Sequence, residues 1–411
     1  MHHALVGDNN HELWFLKTSR IHMSTIKNKC TGRTIIRRFF SSTKRVLEDA
    51  VINGVSLHNA DLENADLSEI ILMYRDRREA DNLRKRRDKN LGYTLCIPTL
   101  VRGNYIVADL PSAHLRGANL RGAYLILGDF TDADLRDTNL SQALLYGATL
   151  TNADLTNANC TKAKLERAKL GGADLRHANL EGAELNSAHL QGADLTNARL
   201  TEAKLNSAHL QGADLTNARL TEAELYGANL TWANLSGTNL EEAFLWKINL
   251  DEATLDRADF SGADLWDSSL RDVKAKHTIF ELADLRMARL QGADLTNTNF
   301  RGATLYFAEC KKANLSGADF YGANLENAYL DDATLTNANL QETNLSKAYL
   351  FGTNLTNANL TNANLEEANL TLASLKNANL SGADLYNANL ELTRCSGMII
   401  DDGEGNEYVL V

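Results

Sequence analysis

Large apolar residues recur at every fifth position along most of the chain. From Leu110 to Leu390 each multiple of five is Leu or Phe, apart from Cys160, Ala275 and Cys310. Ala usually stands two residues before this central residue, and Asp or Asn often stands directly before it. The repeating unit is therefore Ala-(Asp/Asn)-Leu followed by two variable residues.

A period of five matches neither an α-helix nor a flat β-strand, whose side chains repeat with periods of about 3.6 and about 2. The chain has to turn once in each unit, and four units would close one coil with Leu and Ala inside. Residues 186–205 and 206–225 differ only at Lys204 and Glu224, which supports a period of 20. Four central phenylalanines, spaced by 20, would stack in one interior column. They are Phe260, Phe280, Phe300 and Phe320.

Over residues 108–393 this repeat resembles that of the pentapeptide-repeat family. The resemblance implies an all-β fold, a right-handed quadrilateral parallel β-helix, with the central Leu or Phe and the preceding Ala inside. It implies little about function, because members with the same repeat have unrelated roles.

Shorter segments precede and follow the regular repeat. Thr43–Ile52 is predicted as a short helix with Ser42 as its N-cap, which gives a small α-containing N-terminal region. The last residues are predicted as two short strands that cover the final coil, so that its edge cannot pair with another molecule. The predicted parts are an N-terminal extension with a capping helix (1–54), a first coil in a different register (55–72), a basic helical insertion with a return segment (73–107), the continuous β-helix (108–395) and a hairpin-like cap (396–411).

Cysteine usage and hydropathy predict a cytoplasmic protein. The five cysteines form no Cys-x-x-Cys pair, and no apolar run approaches the roughly 18 residues of a membrane span. Residues 13–47 hold nine Lys or Arg and no acid, which alternatively fits an organelle transit peptide. A third interpretation takes Met23 rather than Met1 as the start, because the residues that follow it are typical of a small strand and turn.

The sequence contains no catalytic constellation, and no cofactor, metal or small-molecule substrate is expected. The positions that would line an interior cavity are Leu, Phe and Ala, so the core is predicted to be filled. No glycine-rich phosphate loop leads from a strand into a helix. A non-enzymatic protein is therefore expected.

In a coil stack of this kind, outward residues 20 apart form columns, and one column holds five carboxylates. Members of the resembled family that are linked to quinolone resistance resemble duplex DNA and bind DNA gyrase. The column therefore predicts, as an alternative function, a DNA mimic that binds gyrase, although 24 Lys and Arg interleave with 40 Asp and Glu in residues 110–411. The five carboxylates are Asp134, Asp154, Asp174, Asp194 and Asp214.

A second column carries large aromatic residues on the outside, with Phe244 and Phe307 on nearby columns. Aromatic residues and Arg are enriched at interface hot spots, so this column predicts a docking site for a protein partner of unknown identity. Alternatively, the rings only stack between coils. The column consists of Tyr226, Trp246, Trp266, Arg286 and Tyr306.

The predicted insertion before the regular repeat is strongly basic. The insertion carries eight cationic residues between Arg75 and Lys89, which allows nucleic-acid binding as a third function, although the acidic body would repel the same ligand. A solvated helix explains the same charges more simply.

Val273 and Ala275 exchange the usual small and large residues of the repeat, and we expect a bend in the coil from Lys274 to His277.

Overall fold

The computed structural model describes residues 24–27, 34–38, 62, 63, 65, 67, 73–74, 106–107, 110–401 and 407–409. The chain divides into two compact units, Met1–Ala193 and Asp194–Val411. In the part described there is no helix, and hence none long and apolar enough to cross a bilayer. The predicted helices at Thr43–Ile52 and Arg75–Lys89 lie outside the described residues.

Within the described residues, six short strands precede, interrupt or follow the repeats in sequence and pair two by two. All three pairs are antiparallel, β1 with β2, β3 with β4 and β5 with β6. The strands are β1 (Ser24–Lys27), β2 (Thr34–Arg38), β3 (Met73–Tyr74), β4 (Ile106–Val107), β5 (Ile399–Asp401) and β6 (Glu407–Val409).

Residues 20 apart in sequence pair side by side throughout each unit. These pairs are parallel β-bridges, such as Asp134 with Asp154 in the first unit and Asn234 with Thr254 in the second. Each coil therefore has four sides, and the residue directly before the central Leu lies at the middle of each side. This parallel step from one coil to the next is the period that the sequence predicts.

The chain turns a corner at every fifth residue. From Ser112 to Gly397, φ is positive at each of these positions, with values between 52° and 73°. The next N–H bonds the carbonyl three residues earlier, as in the 3.1 Å bond from Thr238 to Leu235. Val, Ile and Thr are absent from this corner position in residues 112–397, because β-branched side chains are strained at positive φ. Thr instead stands one residue earlier, as at Thr216.

Where Asp or Asn stands before the central Leu, its side chain completes the backbone hydrogen bonding of the unit. In residues 234–238, four N–H groups donate to carbonyls in the neighbouring coils or across the corner, at 2.7–3.1 Å. The remaining N–H, that of Ser236, donates to Asn234 Oδ1 at 3.1 Å. Because a buried or half-buried N–H without an acceptor is costly, this position favours a short side chain with an oxygen atom.

Where another residue stands before the central residue, an Asp or Asn one coil earlier can supply the acceptor. The acceptor residue stands directly after a central Leu, one position before the positive-φ residue, and its side-chain oxygen keeps the N–H group bonded. The three examples, at 2.9–3.0 Å, are Tyr226 N–H to Asn206, Arg271 N–H to Asp251 and Lys276 N–H to Asp256.

The core is filled by the central residues and the preceding small residues. In the second unit the rings of Phe260, Phe280, Phe300 and Phe320 are fully buried and stack with centroid separations of 4.9, 5.2 and 4.7 Å. This confirms the predicted aromatic column.

Thr is tolerated at the small interior position because its hydroxyl group finds a carbonyl in the neighbouring coil. Each of six buried Thr hydroxyls donates to the carbonyl 23 residues earlier, at 2.7–2.9 Å. A polar group in the core is thereby satisfied. These residues are Thr138, Thr238, Thr278, Thr298, Thr343 and Thr353.

The exchange of large and small residues at Val273 and Ala275 leaves the coil regular. Both side chains are buried, and Lys274 keeps its parallel bridges to the coils on either side. The expected bend from Lys274 to His277 is therefore wrong, because Val273 takes the volume that Ala275 gives up.

The first described coil stacks directly on the regular repeat of the first unit. Leu62 and Leu67 are buried, and their N–H groups bond the carbonyls of His114 and Asn119, both at 2.7 Å. β3 and β4 pair with each other, Met73 with Val107 and Tyr74 with Ile106.

At the other end, β5 and β6 occur where two short strands are predicted. β5 joins the edge at Leu380, whose N–H bonds the Ile399 carbonyl at 2.8 Å. Leu390, an interior position, is 37% exposed, whereas Leu370 one coil earlier is fully buried. β5 therefore pairs with one side of this edge, and the predicted cover of the final coil stays a prediction, because residues 402–406 and 410–411 lie outside the described residues.

Replacing the acceptor at Asp214 tests the role of the side-chain oxygen. Asp214 Oδ1 accepts the Thr216 N–H at 2.9 Å. We expect Asp214→Ala to speed hydrogen exchange at the Thr216 amide by about fivefold, because a bond worth about 1 kcal/mol is lost. Asp214→Asn keeps the acceptor and serves as the control. Equal exchange in the two variants would contradict the assigned role.

The strain argument is tested at Lys347, a corner residue whose side chain has no partner among the described residues. Lys347 has φ of 57° and is exposed. We expect Lys347→Val to lower the free energy of unfolding by about 1–3 kcal/mol, since β-branched residues are strained at positive φ. Lys347→Gly should have a free energy of unfolding equal to or higher than that of the unchanged protein. Urea unfolding followed by circular dichroism gives both midpoints, and similar midpoints for Val and Gly would refute the argument.

Candidate protein-binding surface

The aromatic strip, defined as Tyr226, Trp246, Trp266, Arg286 and Tyr306, lies at one corner of the second unit. Each residue directly follows a buried Leu, so its own side chain points outward. The ring of Trp246 contacts that of Tyr226 at a centroid separation of 4.2 Å and that of Trp266 at 6.2 Å. Successive coils thus present three rings in contact.

These rings stack between coils and still reach solvent. Tyr226 and Trp246 are each 37% exposed, while Trp266 and Tyr306 are half-buried. The main-chain bonds of the coil hold the Trp266 backbone, and its N–H also donates to Asp264 Oδ1 at 3.1 Å. The surface is therefore preformed on a rigid support, which lowers the entropy lost on binding.

Arg286 does not continue the row of rings. Its guanidinium group is held by Asp284, with Nε 2.8 Å from Oδ1 and Nη2 2.5 Å from Oδ2. These hydrogen bonds raise the pKa of Arg286. Tyr306 packs edge-on against Phe307 at 4.4 Å. The strip consists of a three-ring stack, an ion pair and a second ring pair.

Other apolar side chains extend the surface on both flanks of the strip. Phe244, on the adjoining side, is half exposed, and Leu282 is 70% exposed. Met287 lies at the strip's own corner and is also exposed. Leu282 and Met287 were not predicted, although an apolar residue at the outward corner position is the signal that would have identified them.

The five aspartates of the predicted acidic ladder are engaged in the turns of their own coils. Each accepts the N–H two residues later through Oδ1, at 2.9–3.3 Å. In the first unit Asp134, Asp154 and Asp174 are bridged in succession, and in the second Asp194 is bridged to Asp214.

Arginines neutralise part of this ladder. Arg136 binds Asp134 through Nε at 2.8 Å and Nη2 at 2.7 Å, and Arg176 binds Asp174 in the same way. Their hydrogen bonds lower the pKa of both carboxyl groups. The ladder therefore presents fewer free charges than a row of bare carboxylates.

The remaining reactive groups that the structure describes give no site. Burial raises the pKa of the Cys160 and Cys310 thiols to about 12 each, which leaves them protonated. Across the described ranges, no three His, Cys, Asp or Glu residues come together as metal ligands. The basic residues from Arg75 to Lys89 lie outside those ranges.

A family model described as pentapeptide repeats matches residues 46–69, then 108–272 and 283–391 in overlapping copies. The break includes Val273 and Ala275, where the repeat pattern is exchanged. The matched residues make up well over half of the chain.

Solved structures of repeat proteins are also similar. Rfr23 of the cyanobacterium Cyanothece 51142 is 40% identical over 23% of this chain and 60% of its own, with a TM-score of 0.21. The match thus spans less than two thirds of Rfr23. HetL of Nostoc sp. strain PCC 7120, involved in heterocyst differentiation regulation, is 32% identical over 64% of this chain and 90% of its own, with a TM-score of 0.15.

QnrB1, a plasmid-mediated fluoroquinolone resistance protein, is 20% identical over 42% of this chain and 91% of its own, with a TM-score of 0.33. No curated protein sequence matches the chain. The relationship rests on the repeats, since all these TM-scores are low.

The ion pair of Asp134 with Arg136 predicts a pH dependence. Its contribution to stability is complete above the ordinary carboxyl pKa of 3.8 and is lost as the pH falls through the lowered value. We expect Arg136→Gln to raise the pKa of Asp134 towards 3.8, measured by carbon NMR of labelled Asp. Arg176→Gln should shift Asp174 and leave Asp134 unchanged; an unchanged Asp134 in Arg136→Gln would rule out this cause.

Proposed function

The chain belongs to the pentapeptide-repeat family, and we propose that it is a non-enzymatic scaffold that binds a protein partner through the aromatic strip. The coils are proposed to wind as the right-handed quadrilateral β-helix that the family resemblance implies. On this proposal the fold supplies a rigid support, and the specificity comes from outward side chains.

The observation that carries the proposal is the contact of Tyr226, Trp246 and Trp266 on an exposed corner. Clustered aromatic residues contribute most of the binding free energy at many interfaces, and Phe244 and Met287 enlarge the apolar area here. Rings whose only role is to stabilise the coil could be buried in the interior, as Phe260 is. These rings instead reach solvent.

The filled interior favours binding over catalysis. Leu, Phe and Ala occupy the positions that face inward, and the Thr hydroxyls among them are bonded to carbonyls. Chemistry would therefore have to take place on the outer columns. The acidic ladder supports the alternative of a gyrase-binding DNA mimic less well, because Arg136 and Arg176 occupy two of its carboxylates.

Removal of two rings tests the strip. We expect Trp246→Ser combined with Trp266→Ser to weaken partner capture from a lysate of the source organism by at least about tenfold, because hot-spot rings are lost. The circular dichroism spectrum should not change. Trp232→Ser is the matched control, since Trp232 is 62% exposed at a neighbouring corner.

Two results would count against the strip. Capture that is equally strong with and without the two tryptophans would exclude it as the binding surface. Inhibition of gyrase supercoiling by the intact chain, lost when Asp134 and the other four ladder aspartates become Asn, would favour DNA mimicry. The Asn substitutions keep the turn acceptors, so the fold is preserved in that experiment.

A further inference from the structure

A column of carboxylates runs beside the aromatic strip in the second unit. Glu202, Glu222 and Glu242 occupy successive corners of one edge of the stack, with φ of 56°, 57° and 55°. All three are exposed, and their carboxylates have no hydrogen-bond or ion-pair partner among the described residues. We call these three residues the carboxylate column.

The carboxylate column and the strip border one side of the coil. Glu242, Phe244 and Trp246 point outward in alternation, with Ala243 and Leu245 buried between them. Four residues of extended chain span at most about 14 Å, so the Cα atoms of the two columns within one coil are no farther apart than that. An α-helix, about 10–12 Å across with its side chains, matches this width.

The charge of this surface calls for a cationic partner. Residues 194–401 contain 28 Asp and Glu against 16 Lys and Arg. The strip itself already accepts a cation, because the Lys247 ammonium lies 5.5 Å from the ring centroid of Trp266. Ring faces attract ammonium and guanidinium groups, and the carboxylates beside them attract the same charges over a longer range.

The spacing along the stack selects among partner conformations. The ring separations of 4.2 Å and 6.2 Å bracket the pitch of an α-helix, which is about 5.4 Å. Side chains on one face of a β-strand recur about every 6.6–6.8 Å, which is longer than either separation. A helix lying along the stack would therefore offer about one apolar side chain to each coil.

We propose that the aromatic strip and the carboxylate column together bind a cationic amphipathic helix of the partner. Its apolar stripe packs on Tyr226, Trp246 and Trp266, and Lys or Arg residues along one flank face the carboxylate column. This proposal rests on the proposed function and names the partner's chemistry. The rings supply most of the affinity, and the carboxylates supply orientation and a faster encounter.

A designed peptide tests this chemistry without knowledge of the natural partner. The probe is a capped peptide of about 20 Leu, Ala and Lys residues that forms an amphipathic helix in water. We expect calorimetric titration of the full chain to give a Kd on the order of 10 µM that weakens as salt is added. A peptide of the same composition with alternating D-residues cannot form this helix and should not bind, and neither should a Glu-for-Lys version.

Variants of the chain separate the two columns. Glu222→Gln with Glu242→Gln should weaken peptide binding by about two- to fivefold for each carboxylate, since exposed ion pairs are individually weak. Glu252→Gln with Asp272→Asn is the matched control, because these exposed acids flank the strip on the side away from the carboxylate column. That control should bind as well as the unchanged chain.

Three outcomes would overturn the proposal: equal binding of the helical and D-residue peptides, stronger binding of a proline-rich extended peptide, or equal weakening by the two pairs of acid substitutions. The proposed function and the cationic-helix proposal can be told apart. If no peptide binds but loss of Trp246 and Trp266 still abolishes capture of the natural partner, the strip stands and the cationic helix is excluded.

Discussion

Most units of the coils use one hydrogen bond that the backbone cannot make by itself. In the repeating unit, four N–H groups find carbonyls in neighbouring coils or across a corner, and the fifth needs a side-chain oxygen. Asn234 provides it for Ser236, and where the local residue cannot, an acceptor such as Asp251 provides it from the coil before. Asp and Asn are therefore frequent for structural reasons, and acidity along a column is not by itself a sign of function.

The geometry of the corner imposes the second constraint. A positive φ at every fifth residue excludes β-branched side chains there but admits Gly, Asn, Lys, Glu and even Trp. The corner consequently carries side chains of very different size and charge. Leu282, Met287 and Glu242 all use it, so the same positions that close the coil also give the surface its chemical character.

Much of this could be predicted from the sequence because every interior contact repeats with a fixed period. The phenylalanine column and the outward position of Trp246 follow from the 20-residue period of the coils. The partner of Arg286 could not be predicted in this way, because a long side chain can reach several neighbouring residues. In the structure it donates to both carboxylate oxygens of Asp284. The regular backbone at Val273 and Ala275 was also not predicted. The large and the small side chain exchange places within one side of the coil, so the total core volume and the backbone path are kept.

The fixed step between bridged residues restricts how such a gene can change in length. A deletion of one codon would move Leu from the interior to the middle of a side and misplace every later corner. Loss or gain of a whole coil shifts each later residue onto an equivalent set of partners. Duplication of a whole coil would produce the near-identical blocks 186–205 and 206–225. A protein that evolves in this way lengthens by one whole coil at a time.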